Sequence, residues 1–100
     1  MQDNQALIVV DVQKDFLETG ALPVKEGSQV VPVINRIIPK FKNVVFTQDW
    51  HPEGHISFAS SHPGEALYSM IDVSYGKQVL WPEHCVQDTA GAGFAEGLNT

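Results

Sequence analysis

The amino-acid order predicts an α/β fold built on a parallel βαβ unit. Two apolar runs rich in β-branched residues, Ala6 to Val12 and Asn43 to Gln48, flank a segment whose apolar residues recur at three- and four-residue steps. A strand, a helix and a second strand in this length demand parallel pairing with a right-handed crossover, so both strands end on one edge of the sheet. The 100 residues suit one small domain or part of a larger one, and 43% hydrophobic against 18% charged residues is a globular balance.

The first run, Ala-Leu-Ile-Val-Val-Asp-Val, is nearly continuous, as in a strand covered on both faces. Asp11 interrupts it near its end. Ionised Asp is costly to bury without a partner, so Asp11 is either a functional carboxylate or a turn cap. Gln13 to Val24 reads as an irregular connection punctuated by Gly20 and Pro23. Its apolar anchors, Phe16 and Leu22, either line a pocket or form a small satellite core. Ser28 suits a helix N-cap, and Val30, Val33, Ile34, Ile37 and Phe41 form the helical stripe. Pro32 is tolerated only in or near the first turn, which moves the start towards Val30 or Val31, and Pro39 marks the end. Residues 59–78 show no sustained period and contain Pro63, Gly64 and Gly76, which reads as a flap over a site. Val79-Leu80-Trp81 is a short strand or turn. Thr89 to Thr100 is rich in Gly and Ala and reads as lacking a closing element; its glycines make no phosphate loop, because no Lys-Ser/Thr pair follows them.

The chemistry gathers where the second strand ends. Asp49 and His51 are two residues apart, so on an extended backbone they project from one face. Pro52 cannot continue a ladder and Gly54 permits a tight bend, which would carry His55 back towards the same point. A third ligand could come from Trp81-Pro82-Glu83-His84-Cys85, whose proline gives His84 a fixed setting. Two His and one Asp with open positions suit zinc, iron(II) or manganese(II) in a reactive site, although histidines near prolines are also ordinary loop residues. Ligands of open α/β sheets bind at the carboxyl ends of strands, so Asp11 and Asp49 should be neighbours lining one cavity.

A formal charge of −6 with few, unclustered Lys and Arg argues against a nucleic-acid partner. No apolar stretch approaches the roughly 20 residues of a membrane span, and Met-Gln-Asp-Asn-Gln at the start lacks a basic leader, so no membrane partner and a cytoplasmic location are expected. The single Cys85 rules out an internal disulfide framework and fits a reducing compartment.

Five ordered motifs, Ala6-Leu-Ile-Val-Val-Asp-Val-Gln-Lys-Asp-Phe16, Gly20-Ala-Leu-Pro-Val24, Thr47-Gln-Asp-Trp-His-Pro52, His55-Ile-Ser-Phe-Ala59 and Leu80-Trp-Pro-Glu-His-Cys-Val-Gln-Asp-Thr89, together resemble the N-terminal half of the nicotinamidases, or pyrazinamidases, of the isochorismatase-like cysteine hydrolase superfamily. The resemblance implies a three-layer α/β/α fold with a parallel sheet, truncated here to the first βαβ unit plus metal-site loops. Residues 1–100 would form the N-terminal portion of one hydrolase domain. It further implies one divalent metal ion (Zn, Fe or Mn) and hydrolysis of nicotinamide, and of pyrazinamide, to the acid and ammonia in NAD salvage. By the same resemblance Asp11 is the acid of an Asp-Lys-Cys triad, Asp49, His51 and His84 are the metal ligands, and Phe16 and Trp81 wall the pyridine ring. His55 is left open, since relatives differ over whether this loop reaches the metal.

The family's nucleophilic Cys and its Lys have no counterpart here: Cys85 belongs to the His84 motif, and Lys14, Lys40 and Lys77 sit elsewhere. Two other readings therefore stay open, a different isochorismatase-like amide hydrolase and, for this chain by itself, a non-catalytic metal- or ligand-binding module. Two parallel strands and one helix also leave a sheet edge unpaired, so the 100-residue chain alone is expected to be loosely packed and inactive, and a homo-oligomer stays open.

Overall fold

A computed structural model describes residues 4–100; Met1, Gln2 and Asp3, part of the start weighed above for a leader, lie outside them. Strand β1 (Ala6–Val9) pairs in parallel with β2 (Asn43–Phe46), with Ala6 opposite Asn43 and Val9 opposite Phe46. Helix α1 (Val30–Ile37) lies between them in the chain and completes the βαβ unit. Among the described residues, no helix is long and apolar enough to cross a membrane.

Strand β1 ends sooner than its apolar run. Its regular pairing stops at Val9, and Asp11 then takes a left-handed backbone with φ 54°. Two hydrogen bonds carry the ladder a little further, Thr47 N–H to the Val9 carbonyl at 2.9 Å and Asp11 N–H to the Thr47 carbonyl at 3.3 Å. Both strand ends are thereby held side by side.

The helix departs from expectation at its start and on its face. Ser28 sits in a 3-10 turn (Gly27–Gln29) and gives its hydroxyl to Glu18 Oε2 at 2.6 Å, so it ties the preceding loop down instead of capping α1. That hydrogen bond also holds the Glu18 carboxyl below its ordinary range. Helix α1 begins at Val30 with Pro32 inside its first turn, where the missing N–H costs nothing. Pro39 falls in a closing 3-10 turn (Ile38–Lys40). Val31 is the buried helical residue, while Val30 and Val33 from the expected stripe are 45% and 46% exposed.

The core gathers Val9, Val12, Val31, Ala95 and Leu98, flanked by Leu7, Ile34, Val44 and Phe94. Residues 89–100 thus contribute Ala95 and Leu98 to the core, contrary to the expectation of a tail with no closing role. Gly and Ala content conceals this, because a segment with small side chains can pack closely without showing any period.

Among the described residues, the sheet is covered on one face only. Leu7 and Val9 point to the core, whereas Ile8 and Val10 on the other face are 59% and 64% exposed. A run apolar enough for burial on both sides is half bare among the described residues. Beside it lies a groove of about 790 Å³ bounded by β1, Phe16, Val24 and α1.

Residues 59–78 are not an irregular flap throughout. They hold β3 (Met70–Val73), which pairs antiparallel with β4 (Gly76–Val79) in a separate two-stranded sheet. Ser74 and Tyr75 form the turn, and Gly76, with φ 122°, follows it. Four-residue strands joined without an Asn-Gly or Asp-Gly pair give little local signal. Isolated hairpins are marginal, and this one is anchored through Leu80, whose N–H bonds to the Ser69 carbonyl at 2.8 Å.

Leu80 is fully buried and Leu67 is half exposed. Leu80→Ala should cost about 2–5 kcal/mol, read as a lower urea midpoint at unchanged slope. Leu67→Ala should stay within about 0.5 kcal/mol of the parent.

Candidate metal centre

Asp49 lies three residues beyond β2, and His51 follows on extended chain. The His51 strand segment bridges to Val86: His51 N–H bonds to the Cys85 carbonyl at 2.8 Å, and Gln87 N–H to the His51 carbonyl at 2.8 Å. This pairing draws the 81–87 segment alongside residues 49–51. His84 is thereby brought to Asp49.

Ligand-type atoms of Asp49, His51 and His84 all lie within 4.8 Å of one another, as the sequence reading expects. His51 Nε2 is 3.4 Å from Asp49 Oδ1, and His84 Nε2 is 3.4 Å from Oδ2. Each Nδ1 faces a backbone carbonyl: His51 Nδ1 that of His84 at 3.2 Å, and His84 Nδ1 that of Pro82 at 2.8 Å. A carbonyl only accepts, so both Nδ1 atoms carry the hydrogen and, in the neutral rings, both Nε2 lone pairs face the carboxylate. Lone pairs turned on a carboxylate repel unless a cation sits among them. Donating Nδ1–H to an acceptor is also how metal-binding imidazoles are oriented. This donor set fits a divalent metal ion.

His55 does return to the site, its ring centroid 4.8 Å from that of His51. It nevertheless has the opposite tautomer. The Ser57 N–H points at His55 Nδ1 from 3.1 Å and can only donate, so Nδ1 is the bare nitrogen and Nε2 carries the hydrogen. As posed, His55 stands outside the ligand set.

Phe58, fully buried, packs against all three imidazoles with centroid separations of 5.2 Å to His51, 5.6 Å to His84 and 5.9 Å to His55. Phe16 reaches the same cluster, 5.6 Å from the His84 ring. Trp81 lies further along: its ring packs on Tyr68 at 6.0 Å, and its backbone bridges Ser57 and Ala59 at 2.9 Å each. It touches none of the three imidazole rings among the aromatic contacts.

Asp11 sits at the carboxyl end of β1. Thr47 Oγ1 donates to Asp11 Oδ1 at 2.7 Å and accepts the Asp11 N–H at 3.0 Å, which fixes the carboxylate despite the strained backbone. Asp residues visit this left-handed region more readily than most. Asp11 and Phe16 line the groove beside β1, but Asp49, His51 and His84 do not. The crossover puts Asp11 and Asp49 at one edge of the sheet.

Cys85 is fully buried, and burial pushes its thiol up to about 12, with the Asp49, Asp15 and Asp11 carboxylates raising it further. It is a protonated, inaccessible thiol at neutral pH. Sequence reasoning passed over Thr47, Phe58 and Gln13 as site residues. All three lie in the quoted motifs, Thr47 two residues before Asp49, Gln13 two after Asp11 and Phe58 three after His55, and that proximity was the available signal.

The isochorismatase domain family matches residues 5–100. A nicotinamidase of Acinetobacter baylyi is 52% identical over 97 residues, covering 97% of this chain and 45% of the relative. Among solved structures, an Acinetobacter baumanii nicotinamidase/pyrazinamidase superposes with a TM-score of 0.95 at 49% identity, over 100% of this chain and 48% of that one. The pyrazinamidase of Pyrococcus horikoshii in complex with zinc gives 0.69 at 46% identity, over 94% and 46%. The chain spans about half the length of the curated relatives it matches.

Replacing His84 by Ala should abolish stoichiometric Co²⁺ uptake in equilibrium dialysis, whereas His62→Ala should leave it unchanged. Uptake by the parent protein should weaken in acid, because protons compete for the His nitrogens. Cys85 should resist thiol reagents at neutral pH until the protein is unfolded; rapid labelling of folded protein would contradict its burial.

Proposed function

The chain belongs to the isochorismatase domain family, and on that footing we propose that the intact protein is a metal-dependent amidohydrolase converting nicotinamide, and pyrazinamide, to the acid and ammonia. The observation that carries the reading is the convergence of the His51 and His84 Nε2 atoms on the Asp49 carboxylate at 3.4 Å each, in a chain 52% identical to a nicotinamidase. Residues 1–100 supply the N-terminal part of a single hydrolase domain. The bare sheet face at Ile8 and Val10 is where the remainder packs.

Amide hydrolysis by a thiol nucleophile needs a group that takes the thiol proton and returns it to the departing nitrogen. Asp11 is suited to this, a carboxylate at a strand end whose orientation is set by the Thr47 hydroxyl. Cys85, buried and protonated, is not the nucleophile. That thiol and a lysine partner come, in this reading, from outside residues 1–100. Phe16, against the His84 ring, offers one wall for the planar pyridine, and the family resemblance gives Trp81 as the other. Asp49, His51 and His84 would hold the divalent ion, zinc, iron(II) or manganese(II), which when bound supplies a Lewis acid that orients the substrate.

In the full-length protein, Asp11→Asn should stop ammonia release from nicotinamide and leave metal content unchanged. Metal loss with retained turnover would contradict the role given to Asp11. Full-length protein that takes up metal yet releases no ammonia from nicotinamide would favour the non-catalytic binding module instead.

A further inference from the structure

Gln13 is completely buried, and every hydrogen on its side-chain nitrogen is used. Nε2 donates to the Asp49 carbonyl at 2.9 Å and to the Ala92 carbonyl at 2.7 Å, while Oε1 accepts the Asp49 N–H at 2.8 Å. One side-chain amide thus grips both backbone groups of Asp49, as a neighbouring strand would, beyond the point where the β1–β2 pairing has ended.

Two residues on, Asp15 holds the other side of the centre. Its Oδ2 accepts the Cys85 N–H at 2.8 Å. Cys85 needs such support because its φ of 49° is strained for a residue with a Cβ. The far side of the same residue is tied to the other ligand, since the Cys85 carbonyl accepts the His51 N–H at 2.8 Å. Asp15 is itself caged by glycines. A Cβ on Gly91 would fall 2.3 Å from both Asp15 carboxylate oxygens, and one on Gly20 would fall 2.4 Å from the Asp15 carbonyl.

We infer that Gln13 and Asp15 are positioning residues for the metal centre, Gln13 setting the Asp49 backbone and Asp15 the His84–Cys85 backbone. Because Asp11 precedes them on the same short segment, they couple the placement of the acid to the placement of the ligands. The inference rests on the metal reading of Asp49, His51 and His84.

The test uses full-length protein, freed of metal and titrated with Co²⁺, for the parent, Gln13→Met, Asp15→Asn and Asn35→Ala. Gln13→Met keeps the volume but removes all three hydrogen bonds. Asn35→Ala is the control for a merely structural clamp, because Asn35 grips Gly97 and Asn99 at 2.8 and 2.9 Å, away from the centre. Gln13→Met should weaken Co²⁺ binding by about 10–100-fold, the range for groups that orient ligands, and alter the visible spectrum of the bound ion. Asp15→Asn should shift both readouts in the same direction by less. Asn35→Ala should lower the melting temperature of the metal-free protein and leave affinity and spectrum alone. Parent-like affinity and spectrum in both Gln13→Met and Asp15→Asn would overturn the inference while leaving the metal centre standing, and if Gln13→Met does not fold, Asp15→Asn decides alone. A parent protein that binds no Co²⁺ would overturn the metal reading and this inference with it.

Discussion

Parallel pairing of Val9 with Phe46 puts the carboxyl ends of β1 and β2 side by side, and Asp11, Asp49 and the side chains gathered around them are placed relative to that edge. The crossover through α1 permits no other arrangement, because parallel neighbours cannot be joined by a tight turn. Thr47 extends the ladder to Asp11, and Gln13 reaches back across the gap to Asp49. The edge therefore continues beyond its strands through side-chain and single backbone hydrogen bonds. Such bonds hold residues without the regular geometry of a sheet, which leaves Asp11 and Cys85 free to take the strained left-handed backbones that aim their neighbourhoods.

The centre itself is organised by what the imidazoles do with their second nitrogens. Carbonyls of Pro82 and His84 take the Nδ1 hydrogens, so the Nε2 atoms turn towards Asp49. His55 shows how little is needed to reverse this. Ser57, through its backbone N–H at 3.1 Å and its hydroxyl at 2.7 Å, claims the His55 Nδ1 and leaves the opposite nitrogen to carry the hydrogen. Three histidines clustered around Phe58 are thus divided into two kinds by the partners of their Nδ1 atoms.

Apolar surface divides the molecule in a different way. Core packing reaches Ala95 and Leu98 at the far end of the chain, so this piece folds back on β1 and α1. The opposite face of the same strand shows Ile8 and Val10 to solvent. A family member of about twice this length has the material to cover that face, and parallel sheets are rarely left uncovered.

The βαβ unit and the pairing of Asp49 with His51 were readable from the order of residues alone, because period, proline placement and short ligand spacing are local properties, whereas the choice of His84 over His55 came with the family resemblance. Family membership was readable in the same way, since five motifs in order are a linear signal. Tertiary structure decided the rest. The choice of Val31 over Val30 and Val33 for burial depends on how α1 is rotated against the sheet, which helical period does not specify. The β3–β4 hairpin and the packing of residues 89–100 depend on partners remote in sequence. The parts played by Gln13 and Asp15 come from hydrogen bonds across 36 and 70 positions. A glutamine in an irregular connection carries no local mark of what it will grip, since that is settled only when the chain closes around it.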